Sequence, residues 1–185
     1  MTSLRDIKGK FTIDPSHSLL GFAARHAMVT KVHGSFAEFE GTAEGDGADP
    51  STAKVDVKIN ATSITTNNEM RDKHLRSGDF FDAENYPEIT FSSTKVEVVD
   101  DETLEITGNL NIKGNSKEIT IPFEFGGAAT DAYGNLRIGF EGKKAISRKE
   151  FGLTWNAALE AGGVMVSDKI MLEIEISAVE VKEEA

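Results

Sequence analysis

Apolar side chains fall on every second residue in one segment of this chain after another. They include Val55, Val57 and Ile59; Leu104, Ile106, Leu110 and Ile112; Ile119, Ile121, Phe123 and Phe125; Leu172, Ile174 and Ile176. A period of two sends alternate side chains to opposite faces of a strand, and polar residues occupy the other face, so each segment reads as a half-buried β-strand. Turn-forming clusters separate the segments: GDGADPS at 45–51, VDDET around Asp100, DAYGN at 131–135 and AGG at 161–163. Strands joined by short turns pair antiparallel. An open sheet of this many strands would leave long unpaired edges, which closure into a barrel or folding into a sandwich removes.

One segment departs from the rhythm. In TNNEMRDKHLRSG, residues 66–78, Thr66 and Glu69 have the spacing of a capping box, and Gly78 supplies a stop. The pattern predicts one short helix between strands, covering an end of the barrel, with Met70, His74 and Leu75 as its packing face. No Pro-rich linker or repeat divides the 185 residues. A single domain over 1–185 is expected, with residues 1–10 as a lead-in and 182–185 as a charged tail.

Composition narrows the function. Twenty basic against 31 acidic residues give a net charge of −11, which opposes nucleic acid and allows at most transient contact with an anionic membrane. The chain has no cysteine, so disulfides and thiolate chemistry are excluded. Its first thirty residues hold no apolar run of signal-peptide type, and cytoplasmic residence is expected. Phosphate-loop, HExxH, EF-hand and GxSxG patterns are absent, so no catalytic residue, metal or cofactor is assigned. His17, His26, His33 and His74 lack ligand spacing. His26 shares a strand face with Phe22 and Ala24 and is expected to be partly buried. Eleven phenylalanines against two tyrosines and one tryptophan suit a greasy interior, either a packed core or the wall of a cavity.

Particular residues go further than periodicity. DPSHSLLGFAARH (Asp14 to His26) and VHGSF (Val32 to Phe36) are followed by SITTNNEMRDKHLRSGDFFD (Ser63 to Asp82) and YPEITFSST (Tyr86 to Thr94). GNLNIKG (Gly108 to Gly114) and SRKEFGL (Ser147 to Leu153) complete the series. In order and spacing these blocks resemble the YceI-like, polyisoprenoid-binding family over almost the whole chain. The resemblance implies an all-β fold, an elongated antiparallel lipocalin-like barrel of about eight strands. It also implies an apolar channel that binds, stores or transports an amphiphilic lipid, an isoprenoid quinone or polyprenyl compound, without catalysis.

On strand parity and position within those blocks, the expected ligand-binding residues are Phe22, His26, Met28, Phe36, Phe39, Phe91, Leu110, Ile112, Phe140, Leu153, Trp155 and Met165. Met28 and Met165 would adapt to different tails. A polar head would be anchored by His26, Arg71 or Arg148. The plainer alternatives are an Arg71–Asp72 surface or capping pair, and an Arg148 that fixes a turn by bonding backbone carbonyls. Two other readings stay open. One is a barrel filled by side chains that works through its acidic surface. The other is a lipid- or quinone-modifying enzyme with convergent titratable groups in the cavity. A homodimer is also left open, since apolar mouths often end in symmetric contacts.

Overall fold

The computed structural model describes residues 2–160 and 162–182. Eleven strands run as β1 (Lys8–Ile13), β2 (Leu19–His26), β3 (Thr30–Phe36), β4 (Phe39–Asp46), β5 (Asp49–Asn60), β6 (Ile64–Thr65), β7 (Glu88–Val98), β8 (Thr103–Ile112), β9 (Asn115–Thr130), β10 (Leu136–Ser147) and β11 (Lys169–Glu180). One helix, α1 (Glu69–Arg76), lies between β6 and β7. Every pairing is antiparallel, in the order β1-β4-β5-β7-β8-β9-β10-β11, and β11 returns to β1 through Phe11↔Glu180 and Ile13↔Ala178. The result is the expected eight-strand closed barrel. At about 3.3 Å per residue the 12 residues of β10 and of β11 run about 40 Å along the wall, so the barrel is long for its width.

The chain breaks its strands to close one end. β2 takes the half of β11 that β1 leaves free, from Leu19↔Glu175 to Ala23↔Met171, after a short 3-10 turn at Pro15–His17. β3 and β6 extend that flap. It does not rejoin β7, and α1 with residues 77–87 covers the space between.

The helix forms where the sequence predicts it, with different caps. Asn68, not Thr66, is the N-cap, its side chain accepting from the Arg71 N–H at 3.0 Å. Thr66 is buried and serves another purpose. Its N–H and hydroxyl both donate to Asp72 Oδ1, at 2.7 and 2.6 Å, while Arg71 donates to its hydroxyl and carbonyl at 2.7 and 2.8 Å. The helix ends at Ser77 in extended conformation, its hydroxyl bonding the His74 carbonyl at 2.6 Å, so Gly78 is not the stop. Leu75 and His74 face the barrel; Met70 is 85% exposed.

The N-terminal segment is more than a lead-in. Leu4–Asp6 forms a 3-10 turn that buries Leu4, and β1 already starts at Lys8. The charges of Lys8 and Lys10 mask the alternation there. Lys182 reaches the Gly134 carbonyl, and the rest of the expected tail lies outside the described residues.

The corner between β1 and β2 is tied to β10 by charge. Arg137 bridges Asp14 and Asp131, each at 2.8 Å. Asp14 is held well below the usual carboxylate range, first by the Ser16 hydroxyl, then by Arg137 and His17. Asp131 is lowered to about 2, chiefly by the Asn135 N–H and then by Arg137. Carboxylates depressed by folding contribute stability that is complete above their unfolded pKa, about 4, and is lost as pH falls toward the folded values. Stability should therefore fall between pH 4 and 2. Asp14→Asn with Asp131→Asn should remove up to about two protons from the uptake on unfolding in that window, measured as a flatter pH dependence of the urea midpoint.

Candidate functional site

Alternation places one face of every barrel strand inside. Phe11 and Ile13 on β1, Val55, Val57 and Ile59 on β5, Ile106, Leu110 and Ile112 on β8, Ile119, Ile121 and Phe123 on β9, and Leu172, Ile174 and Ile176 on β11 all point inward. They do not meet in the middle. One buried cluster, built on Leu4, Phe11, Leu104, Ile121 and Phe123, fills the end near the N-terminus. A second, on Ala61, Phe80, Ile89, Ile112, Phe151 and Leu153, fills the helix end. Between them lies a cavity of about 350 Å³, inside the range of roughly 300–1,000 Å³ common for small-molecule sites. Inward residues such as Val57, Ile106, Ile119, Phe140 and Ile174 are therefore only partly covered, although their strand parity is that of a core.

Cross-strand glycines keep the lumen open. Gly34 stands opposite Phe22, and Gly142 opposite Phe123. A Cβ on Gly34 would lie 2.3 Å from the Phe22 ring, and one on Gly142 2.6 Å from that of Phe123. Without a Cβ the rings lie against the wall instead of projecting across the barrel.

The β5–β7 ladder stops short of the strand ends. β5 and β7 pair only from Asp56↔Ser92 to Asn60↔Glu88. Beyond that, β7 bulges between Ser93 and Lys95, and β5 turns away with Pro50, which has no N–H to pair. The Ser93 hydroxyl accepts the Val55 N–H at 2.8 Å where the ladder stops. Pro50, Ala53, Val96 and Val98 border both the inner cavity and an outer groove.

Of the residues expected from sequence, Phe22, Phe36, Phe91, Leu110, Ile112, Phe140, Leu153 and Arg148 border the cavity. The structure does not bring the others to it. His26 is exposed at the end of β2, where its backbone bridges Val166, because the flap ends before its side chain is covered. Met28 is 65% exposed in the β2–β3 turn. Phe39 is half-buried at the start of β4; it pairs with inward-facing Ile59 but does not border the cavity. Trp155 stacks outside the cavity on His74 and Phe80, with ring centroids 4.6 and 5.3 Å away. Met165 is in the covering loop, where its carbonyl accepts from Ala27. Arg71 is spent on Thr66, and neither pairs with Asp72 nor reaches the cavity.

Arg148 is buried and bonds backbone carbonyls on the loop that covers the helix end. It donates to Leu153 (2.6 Å), Trp155 (2.9 Å), Ser167 (2.8 Å) and Val166 (3.2 Å). Burial lowers its pKa, and nearby Asp168 partly offsets this. Asp168 itself bonds the Ser147 hydroxyl and the Lys149 N–H. The other ionisable residues on the cavity wall, Glu44 and Asp46, sit at the β4–β5 hairpin. The histidines are dispersed: His17 meets Asp14, His33 meets Glu173 and His74 meets Asp79. Among the described residues no cluster of three His, Asp or Glu could hold a metal.

Leu20, Val57, Ile59, Val96, Ile138, Ile146 and Ile176 also line the cavity but are not among the ligand-binding residues expected from the sequence. Their signal was the alternation itself, which weighs aliphatic positions as heavily as phenylalanine.

Residues 11–178 match the model of the YceI-like domain. A UPF0312 protein of Staphylococcus aureus is 40% identical over 164 residues, covering 88% of this chain and 93% of its own length. Among solved structures, a YCEI protein of Campylobacter jejuni matches with a TM-score of 0.74 and 36% identity, over 85% of this chain and 90% of that one. BcnA of Burkholderia cenocepacia has a TM-score of 0.78 at 21% identity, over 89% and 98%. A domain of Saccharophagus degradans described as polyisoprenoid-binding has 0.71 at 14%, over 92% and 98%. These last two share the fold.

Proposed function

Because this chain belongs to the YceI-like family, we propose that its barrel holds the tail of one amphiphilic isoprenoid lipid, a quinone or polyprenyl compound, and stores or carries it unchanged. The observation that carries this reading is the partly covered inward face around the cavity. A barrel packed by its own side chains would bury Val57, Ile106 and Ile174 as deeply as Ile121, which is 5% exposed. The description of the Saccharophagus domain supports the isoprenoid chemistry. Tail burial supplies about 25 cal/mol per Å² of apolar surface, less the cost of ordering a flexible chain. Binding without reaction fits a wall whose one deeply buried charge, Arg148, already serves four carbonyls.

Protein purified without detergent and extracted with organic solvent should release a long apolar molecule, detected by mass spectrometry. The stripped protein should then take up an isoprenoid quinone, which quenches the single tryptophan, Trp155. Clean extracts together with no quinone uptake would overturn the reading.

A further inference from the structure

The net charge of −11 is unevenly spread. Residues 15–37 contain no Asp or Glu, although the chain has 31, and they form the β2–β3 hairpin. Its tip carries Met28 and Val29, 65% and 75% exposed, flanked by exposed Arg25 and Lys31. Neither cation is in an ion pair among the described residues. Val164, 41% exposed, stands on the neighbouring segment, and Gly163 there packs against the Met28 sulfur. Along that segment the acids nearest Val164 are Glu160 and Asp168, four residues away on either side.

The turn itself is strained. Val29 N–H bonds the His26 carbonyl at 3.1 Å, and the two central residues, Ala27 and Met28, have φ of 51° and 60°. Asn and Gly fit such a turn at least cost, so this sequence accepts strain to keep an apolar side chain outermost. The tip is also held rigid: Ala27 N–H bonds the Met165 carbonyl at 2.8 Å, and Ser167 N–H that of Arg25 at 3.1 Å.

We propose that this tip, Met28, Val29 and Val164 with Arg25 and Lys31 beside them, is a docking surface for an anionic lipid bilayer. The apolar side chains enter the boundary between headgroups and acyl chains, and the two cations meet lipid phosphates. A second protein fits the tip less well, because a stable interface needs about 800 Å² of complementary surface per partner. A narrow convex hairpin offers far less, and a fluid bilayer requires no matching shape. Docking here also brings the membrane to the end of the barrel where Ala24 and Val166 border the cavity.

The test is co-sedimentation of the whole chain with vesicles of phosphatidylcholine, with and without phosphatidylglycerol. Binding is expected only to the anionic vesicles and should weaken with salt. Arg25→Gln and Lys31→Gln should each weaken it about fivefold. Met28→Asn with Val29→Asn should weaken it at least about tenfold, Asn being suited to the turn, and circular dichroism should be unchanged. Wild-type protein that ignores anionic vesicles, or variants that bind as well as wild type, would overturn the proposal. So would a dimer that the Met28→Asn/Val29→Asn variant converts to monomer, which would give the tip to a second copy. Lipid content measured on the same preparations keeps this result separate from the proposed cargo: stripped protein that still binds vesicles leaves docking intact.

Discussion

Arg148→Met should lower the free energy of unfolding by about 4 kcal/mol, because buried acceptors left without a donor cost about 1–3 kcal/mol each and part of that cost is relieved by local relaxation. Arg148 is 4% exposed, and its guanidinium serves four carbonyls, those of Leu153, Trp155, Val166 and Ser167, from both limbs of one loop. Methionine keeps much of the bulk and none of the donors, so four acceptors lose their partner where water enters poorly. Lysine should rescue little, since its ammonium is a point charge with three donors and lacks the planar fork. Urea unfolding by circular dichroism gives the magnitude. Trp155 fluorescence gives the mechanism, because its carbonyl is one of the four and its ring packs on His74 and Phe80. A loss near 0.5 kcal/mol, that of an ordinary surface change, would show that the loop is held by other contacts.

The strands were legible because period-two alternation directly reports a wall with one dry face, and the family blocks added closure and elongation. The cavity wall was legible in the same way, apart from what local breaks conceal. The bulge on β7 moves the inward positions from Ile89 and Phe91 to Val96 and Val98, a change of parity that no residue there announces. Met28, Trp155 and Met165, expected on parity and position within the family blocks, belong to the hairpin turn and the covering loop, where parity has no meaning. His26 follows the parity of Phe22 and Ala24 yet lies past the covered part of β2. Thr66 misled for a different reason. Its spacing to Glu69 imitates a capping box, whereas the true cap, Asn68, was the better candidate by type and the less conspicuous by pattern. Arg71 and Arg148 each carry two readings in the sequence: Arg71 meets neither, since it bonds Thr66, whereas Arg148 bonds backbone carbonyls as its plainer reading has it.

Filling the lumen should separate binding from folding. Val57→Trp on β5 and Ile174→Trp on β11 each place an indole in the cavity at a position that is inward but only partly covered. In a packed core such enlargements cost about 1–3 kcal/mol. Here the space exists, a cavity of about 350 Å³, so each indole takes up unfilled volume instead of displacing packed neighbours. The stripped double variant should therefore unfold at the same temperature as stripped wild type, or higher, while its bound lipid falls at least tenfold. The same reasoning makes removal of lipid from the wild type lower its thermal midpoint, since a ligand that binds only the folded state stabilises it. Calorimetry with lipid quantification distinguishes the outcomes. A double variant that loses stability by several kcal/mol would mean the interior is already filled by its own side chains. One that keeps both its stability and its lipid would place the tail outside the barrel.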